Sequence, residues 1–102
     1  MTPEAQAIFL TKLIHENDYY AMRPVRNGTY WVGLHKYMFT TAILLGKMGD
    51  TTGFEDRWCY HSAAEAERAL AMWDGETGEP EGWHRNPRTG RRRQDGNEWI
   101  NF

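Results

Sequence analysis

The chain has 102 residues and a formal net charge of −2, from 12 basic and 14 acidic residues. That length is typical of a single domain with one core. A composition of 40% hydrophobic and 14% aromatic residues excludes an intrinsically disordered chain. The longest apolar run, Ala42–Leu45, is far shorter than the roughly 18 residues of a membrane-spanning helix, so we expect no contact with a membrane.

The cysteine content and the N-terminus favour an intracellular protein. Cys59 is the single cysteine of the chain, so it cannot form an internal disulfide. The first residues, Met1–Glu4, have neither the cationic start nor the apolar stretch of a secretory signal. We therefore expect the protein to work in a reducing cytoplasm.

A first helix is predicted from Pro3 to Glu16. Thr2 offers a hydroxyl at the N-cap, and proline favours the first helical position. Apolar side chains recur at helical spacing, which predicts a face that packs on the core; they are Ala5, Ile8, Phe9 and Leu13, widened by Leu10 and Ile14.

Four extended segments follow, which we predict as the strands Tyr19–Val25, Thr29–Lys36, Tyr37–Met48 and Phe54–Tyr60. Asn27-Gly28 between the first two is the sequence typical of a tight hairpin turn, because both residues tolerate positive φ. The third segment has a nearly unbroken apolar centre, which predicts an inner strand covered on both faces.

A second helix is predicted to begin at Ala63 and to end at Asp74-Gly75. Ser62 and Glu65 form a capping box, and glycine is the usual left-handed residue after a helix. The fold class is therefore α+β, with a three- to four-stranded antiparallel sheet in the order α-β-β-β-β-α. We expect residues 1–75 to form the core domain, with both helices on one face of the sheet, and residues 76–102 to form a turn-rich Arg/Trp tail packed on it.

The tail contains the strongest functional signal. The decapeptide His84–Arg93 holds five arginines and no acid, a charge of +5, whereas the other 92 residues have seven basic and 14 acidic residues, a charge of −7. Arginine forks pair with phosphates and carboxylates, and tryptophan anchors interfaces. The predicted binding residues are Trp83, His84, Arg85, Arg88, Arg91, Arg92 and Arg93.

Three interpretations of these charges remain open. The arginines could pair with carboxylates of the same chain, namely Glu76, Glu79, Glu81, Asp95 and Glu98. They could bind the phosphates of DNA or RNA, with Trp83 stacked on a base. Alternatively, the acidic body could bind a basic partner that handles nucleic acid, because complementary charge speeds association.

A catalytic or metal centre has weaker support. Glu55, Cys59 and His61 would share one face of a strand, but zinc sites draw on paired Cys and His ligands that this chain lacks. A lone cysteine is most often a buried apolar residue. We predict no enzyme, no catalytic residue, no metal and no cofactor. Strand aromatics could form a stacking platform, although the core is their usual place; they are Tyr30, Trp31, Tyr37, Phe39 and Trp58.

Three segments carry a resemblance to a known group of proteins. Gly49–His61, followed by Trp73-Asp74-Gly75 and by Glu79–Arg93, which reads EPEGWHRNPRTGRRR, resembles small uncharacterised proteins encoded by bacteriophages and prophages of proteobacteria. The resemblance implies a viral origin and assigns no catalytic residues. Short phage proteins without an enzyme signature often bind host complexes stoichiometrically. The resemblance therefore also implies an anti-defence role, including that of a CRISPR inhibitor.

We therefore expect a non-enzymatic phage accessory protein in the host bacterial cytoplasm. Its partner would be a host protein or nucleoprotein complex that it binds and blocks. Direct binding of DNA or RNA by the arginines of the tail is the second hypothesis. The sequence leaves the oligomeric state open.

Overall fold

The computed structural model describes residues 1–83. Helix α1 (Pro3–Asn17) is followed by strands β1 (Tyr20–Val25), β2 (Tyr30–Lys36), β3 (Thr41–Lys47) and β4 (Asp56–Tyr60), and then by helix α2 (Ala63–Met72). The strands form one antiparallel sheet in the order β1-β2-β3-β4. The predicted fold class and element order are confirmed, and β3 is one of the two inner strands.

Both helices begin where their capping residues predict. The Thr2 hydroxyl accepts a hydrogen bond from the Ala5 amide at 3.1 Å, and Ser62 caps α2 in the same way through the Glu65 amide at 3.2 Å. At the other end of α2, the Arg23 guanidinium of β1 donates hydrogen bonds to the carbonyls of Leu70 and Trp73. A cation at this end also complements the helix dipole.

The buried stripe of α1 is narrower than predicted. Phe9, Leu10 and Leu13 are buried, whereas Ile8 is 72% exposed and Ile14 is 40% exposed. At 3.6 residues per turn, Ile8 points about 140° away from Leu13, which lies at the centre of the buried arc. Spacing in the sequence did not show where that arc is centred.

The two helices pack on opposite faces of the sheet, so the prediction of one shared face is wrong. One core cluster joins Leu70 of α2 to alternate residues of the inner strands, such as Leu34 and Ile43. The other cluster joins Leu13 of α1 to the intervening residues, such as Leu44. Because side chains alternate across a strand, an inner strand that is apolar throughout needs a cover on each face.

Two turns differ from the predicted ones. Strand β3 begins at Thr41 rather than Tyr37, and the Tyr37 amide donates to the Thr40 carbonyl at 2.8 Å across the β2–β3 turn. In the β1–β2 turn the left-handed region extends to three consecutive residues, 26–28, with φ of 54°, 57° and 76°. The turn is therefore wider than a two-residue Asn-Gly hairpin.

Candidate functional site

After α2 the chain returns across the sheet as a strap, which we define as residues 75–83. Its start is held by the β1–β2 turn: the Arg26 amide donates to the Glu76 carboxylate at 2.8 Å, and Arg26 Nε donates to the Gly75 carbonyl at 3.1 Å. These bonds explain why a non-glycine residue, Arg26, is stable at positive φ.

The middle of the strap is bonded to β4. The indole N–H of Trp58 donates to Glu79 Oε2 at 2.9 Å, and the Tyr60 hydroxyl donates to the Glu81 carbonyl at 2.8 Å. Both aromatic side chains are almost fully buried. Burial raises the pKa of the Tyr60 phenol, so the hydroxyl keeps the proton that it donates to the strap.

Trp83 ends the strap and is the one predicted binding residue within the described part of the chain. Its side chain is half-buried and packs against the core cluster on the α2 face. The remaining predicted binding residues, from His84 to Arg93, lie outside the described residues. The strap therefore fixes the position from which the arginine-rich decapeptide starts.

A groove of about 530 Å³ lies between the strap and α2. Met72 and Trp73 line it from the helix side, and Pro80 lines it from the strap side. Its volume lies in the range of about 300 to 1,000 Å³ that is common for ligand pockets. No pattern of residues predicts this groove, because the strap wall is held in place by long-range hydrogen bonds from β4.

The turn between β2 and β3 presents two apolar side chains to solvent. Met38 is 85% exposed and Phe39 is 65% exposed, so the expectation that Phe39 packs in the core is wrong. Trp31 and Trp58, by contrast, are fully buried and offer no stacking platform. This tight turn contains no Gly, Asn, Asp or Pro, so its residue types do not indicate a turn.

The structure separates the residues of the hypothetical thiolate centre. Cys59 is 5% exposed and packs in the apolar cluster beneath α1. Glu55 lies at the surface and forms an ion pair with Lys47 at 3.3 Å, and His61 is exposed after the end of β4. Within residues 1–83, no three His, Cys, Asp or Glu side chains are placed to hold a metal ion.

No helix among the described residues is long and apolar enough to cross a membrane. Comparison of the chain with protein-family models, with curated proteins and with solved structures finds no match. The strap, the groove and the charges of the chain are therefore the features from which a function can be inferred.

Proposed function

We propose that the protein is a non-enzymatic phage accessory protein that binds a host protein or nucleoprotein complex in the bacterial cytoplasm and blocks it, as an anti-defence protein does. The observation that carries this proposal is the attachment of the strap to the core. Through it, the decapeptide His84–Arg93, with its charge of +5, starts beside a half-buried Trp83 at a fixed place on the domain.

A fixed starting point favours binding for a physical reason. Association costs conformational entropy for each contact residue that becomes ordered, and Trp83, which precedes the decapeptide, is already packed on the domain. Arginine and tryptophan are also the residues that contribute most often to interface hot spots. The uneven distribution of charge, +5 in the decapeptide against −7 elsewhere, would orient the protein toward an acidic surface.

The first experiment compares two triple variants in a pull-down from bacterial lysate. One variant replaces Arg91, Arg92 and Arg93 by glutamine. The matched control replaces Lys12, Lys36 and Lys47 by glutamine; these lysines are exposed on the body, and the net charge changes by the same amount. We expect the wild-type chain and the control to recover one stoichiometric partner and the tail variant to lose it. Recovery of no partner at moderate salt, or equal recovery by both variants, would refute the proposal.

The second candidate function is direct binding of DNA or RNA by the same arginines. The observation that favours it is a decapeptide with five arginines and no acid. If all five contacted phosphates of duplex DNA, the logarithm of the affinity would fall with the logarithm of salt concentration with a slope of roughly −4.5. A packed protein interface changes much less with salt. A mobility-shift assay at low salt separates the two, because the absence of any shift excludes this candidate.

A further inference from the structure

The groove between α2 and the strap combines an apolar floor with carboxylates at its rim. Met72 is 83% exposed although it lies in the last turn of α2, and it lines the groove together with Trp73 and Pro80, which are buried. Methionine is flexible and polarizable, and it is overused at surfaces that receive apolar side chains. The floor therefore offers, at Met72, apolar contact area that is open to solvent among residues 1–83.

The charges around this floor are mostly negative. Glu65 lines the groove from the first turn of α2, and Glu79 and Glu81 line it from the strap; among residues 1–83, Arg68 is the cation that lines it. Glu79 already accepts the Trp58 indole N–H. Glu65 and Glu81 are exposed on opposite walls, so a cation that enters between them would be attracted from both sides.

We propose that this groove binds a basic segment of a partner protein, in which an apolar side chain packs on Met72 and neighbouring lysines or arginines face Glu65 and Glu81. Charge complementarity selects this occupant: a purely apolar peptide would leave the carboxylates desolvated without partners, and an acidic one would be repelled. The site is built from described residues and uses none of the predicted binding arginines, and it extends the proposed function to a second contact.

The walls of the groove are set before a peptide arrives. The hydrogen bonds of the strap to Trp58 and Tyr60 hold one wall, and the packing of Leu70 in the core holds the other. A preformed site loses little entropy on binding. The affinity should therefore respond to substitutions within the groove and not to general changes in surface charge.

Calorimetry with the full chain and a defined probe tests this proposal without the unidentified partner. The probe is an acetylated and amidated peptide, Gly-Arg-Leu-Arg-Gly-Arg-Leu-Gly. Replacing Glu65 and Glu81 together by glutamine should weaken binding about tenfold, and glutamine at position 65 keeps the capping box. The matched control replaces Glu4 and Glu16 by glutamine. Both lie on α1, on the opposite face of the sheet, and we expect a change below about twofold.

A second pair of variants tests the floor. Met72→Ser should weaken the probe about fivefold through the loss of apolar contact. Met38→Ser, which removes an equally exposed methionine from the β2–β3 turn, should leave the affinity unchanged. A probe with glutamate in place of arginine should not bind.

Three results would overturn the proposal. The first is that the wild-type chain does not bind the probe at about 1 mM. This result counts against the proposal whether the groove is filled by the chain itself or has no ligand. The two glutamate pairs weaken binding equally, which indicates attraction to the whole acidic body. Alternatively, Met72→Ser and Met38→Ser have the same effect. The pull-down with the Arg91, Arg92 and Arg93 variant is a separate measurement, so failure here is distinct from failure of the proposed function.

Discussion

Replacing Arg23 by methionine tests how the end of α2, and with it the start of the strap, is held. Methionine keeps the aliphatic stem and removes the guanidinium, so the carbonyls of Leu70 and Trp73 lose their side-chain donor. A hydrogen bond from a charged donor contributes about 1.5 to 3 kcal/mol. Since the two bonds share one half-buried group, we expect the free energy of unfolding to fall by about 2 to 4 kcal/mol.

Urea denaturation, followed by both far-UV circular dichroism and tryptophan fluorescence, measures this loss. Arg68→Met is the matched control, because Arg68 is exposed on α2 and its replacement should change stability by less than about 0.5 kcal/mol. Equal stability of the two variants would show that the hydrogen bonds of Arg23 do not hold the end of α2.

Three further predictions concern other parts of the fold. Replacing Met38 and Phe39 together by serine should change the free energy of unfolding by less than about 0.5 kcal/mol while lowering retention on a hydrophobic column; a loss above about 1 kcal/mol would show that the turn is packed. Gly46→Ala places a Cβ against the Trp31 indole and should cost about 1 to 3 kcal/mol in a urea titration, so wild-type stability would contradict the packing described. Because burial raises the pKa of Tyr60 in the folded state, the stabilisation that its phenol contributes is complete below about pH 10. At higher pH the free energy of unfolding falls by up to about 1.4 kcal/mol per pH unit. Tyr60→Phe should therefore show a shallower alkaline decline, and an identical decline would refute this assignment.

Local signals in the sequence were sufficient for the elements and their order. Thr2 with Pro3, and Ser62 with Glu65, each placed a helix start at the observed residue, because caps act within one turn of the backbone. The apolar run of β3 likewise indicated an inner strand. That same run requires cover on two faces, and applying this requirement to both helices would have placed them on opposite sides.

The candidate site depends on contacts between residues that are distant in the sequence, and these could not be predicted. The bond between Arg26 and Glu76 joins residues 50 positions apart, and the bond between Tyr60 and Glu81 joins residues 21 apart. Neither pair has a spacing that indicates contact. The residue type of Trp83 predicts an anchor for a partner, and the structure adds that part of its surface packs on its own domain.

Titration of the purified partner with the protein tests most directly whether the protein acts by binding and blocking or by chemistry. The partner recovered by the wild-type chain is purified, its activity is assayed, and the protein is added in increasing molar ratio. A stoichiometric blocker predicts that activity falls linearly and reaches its minimum at one equivalent, with no dependence on incubation time after binding. Loss of activity at far below one equivalent that progresses with time would indicate turnover and would contradict the claim, as would full activity in the presence of excess protein.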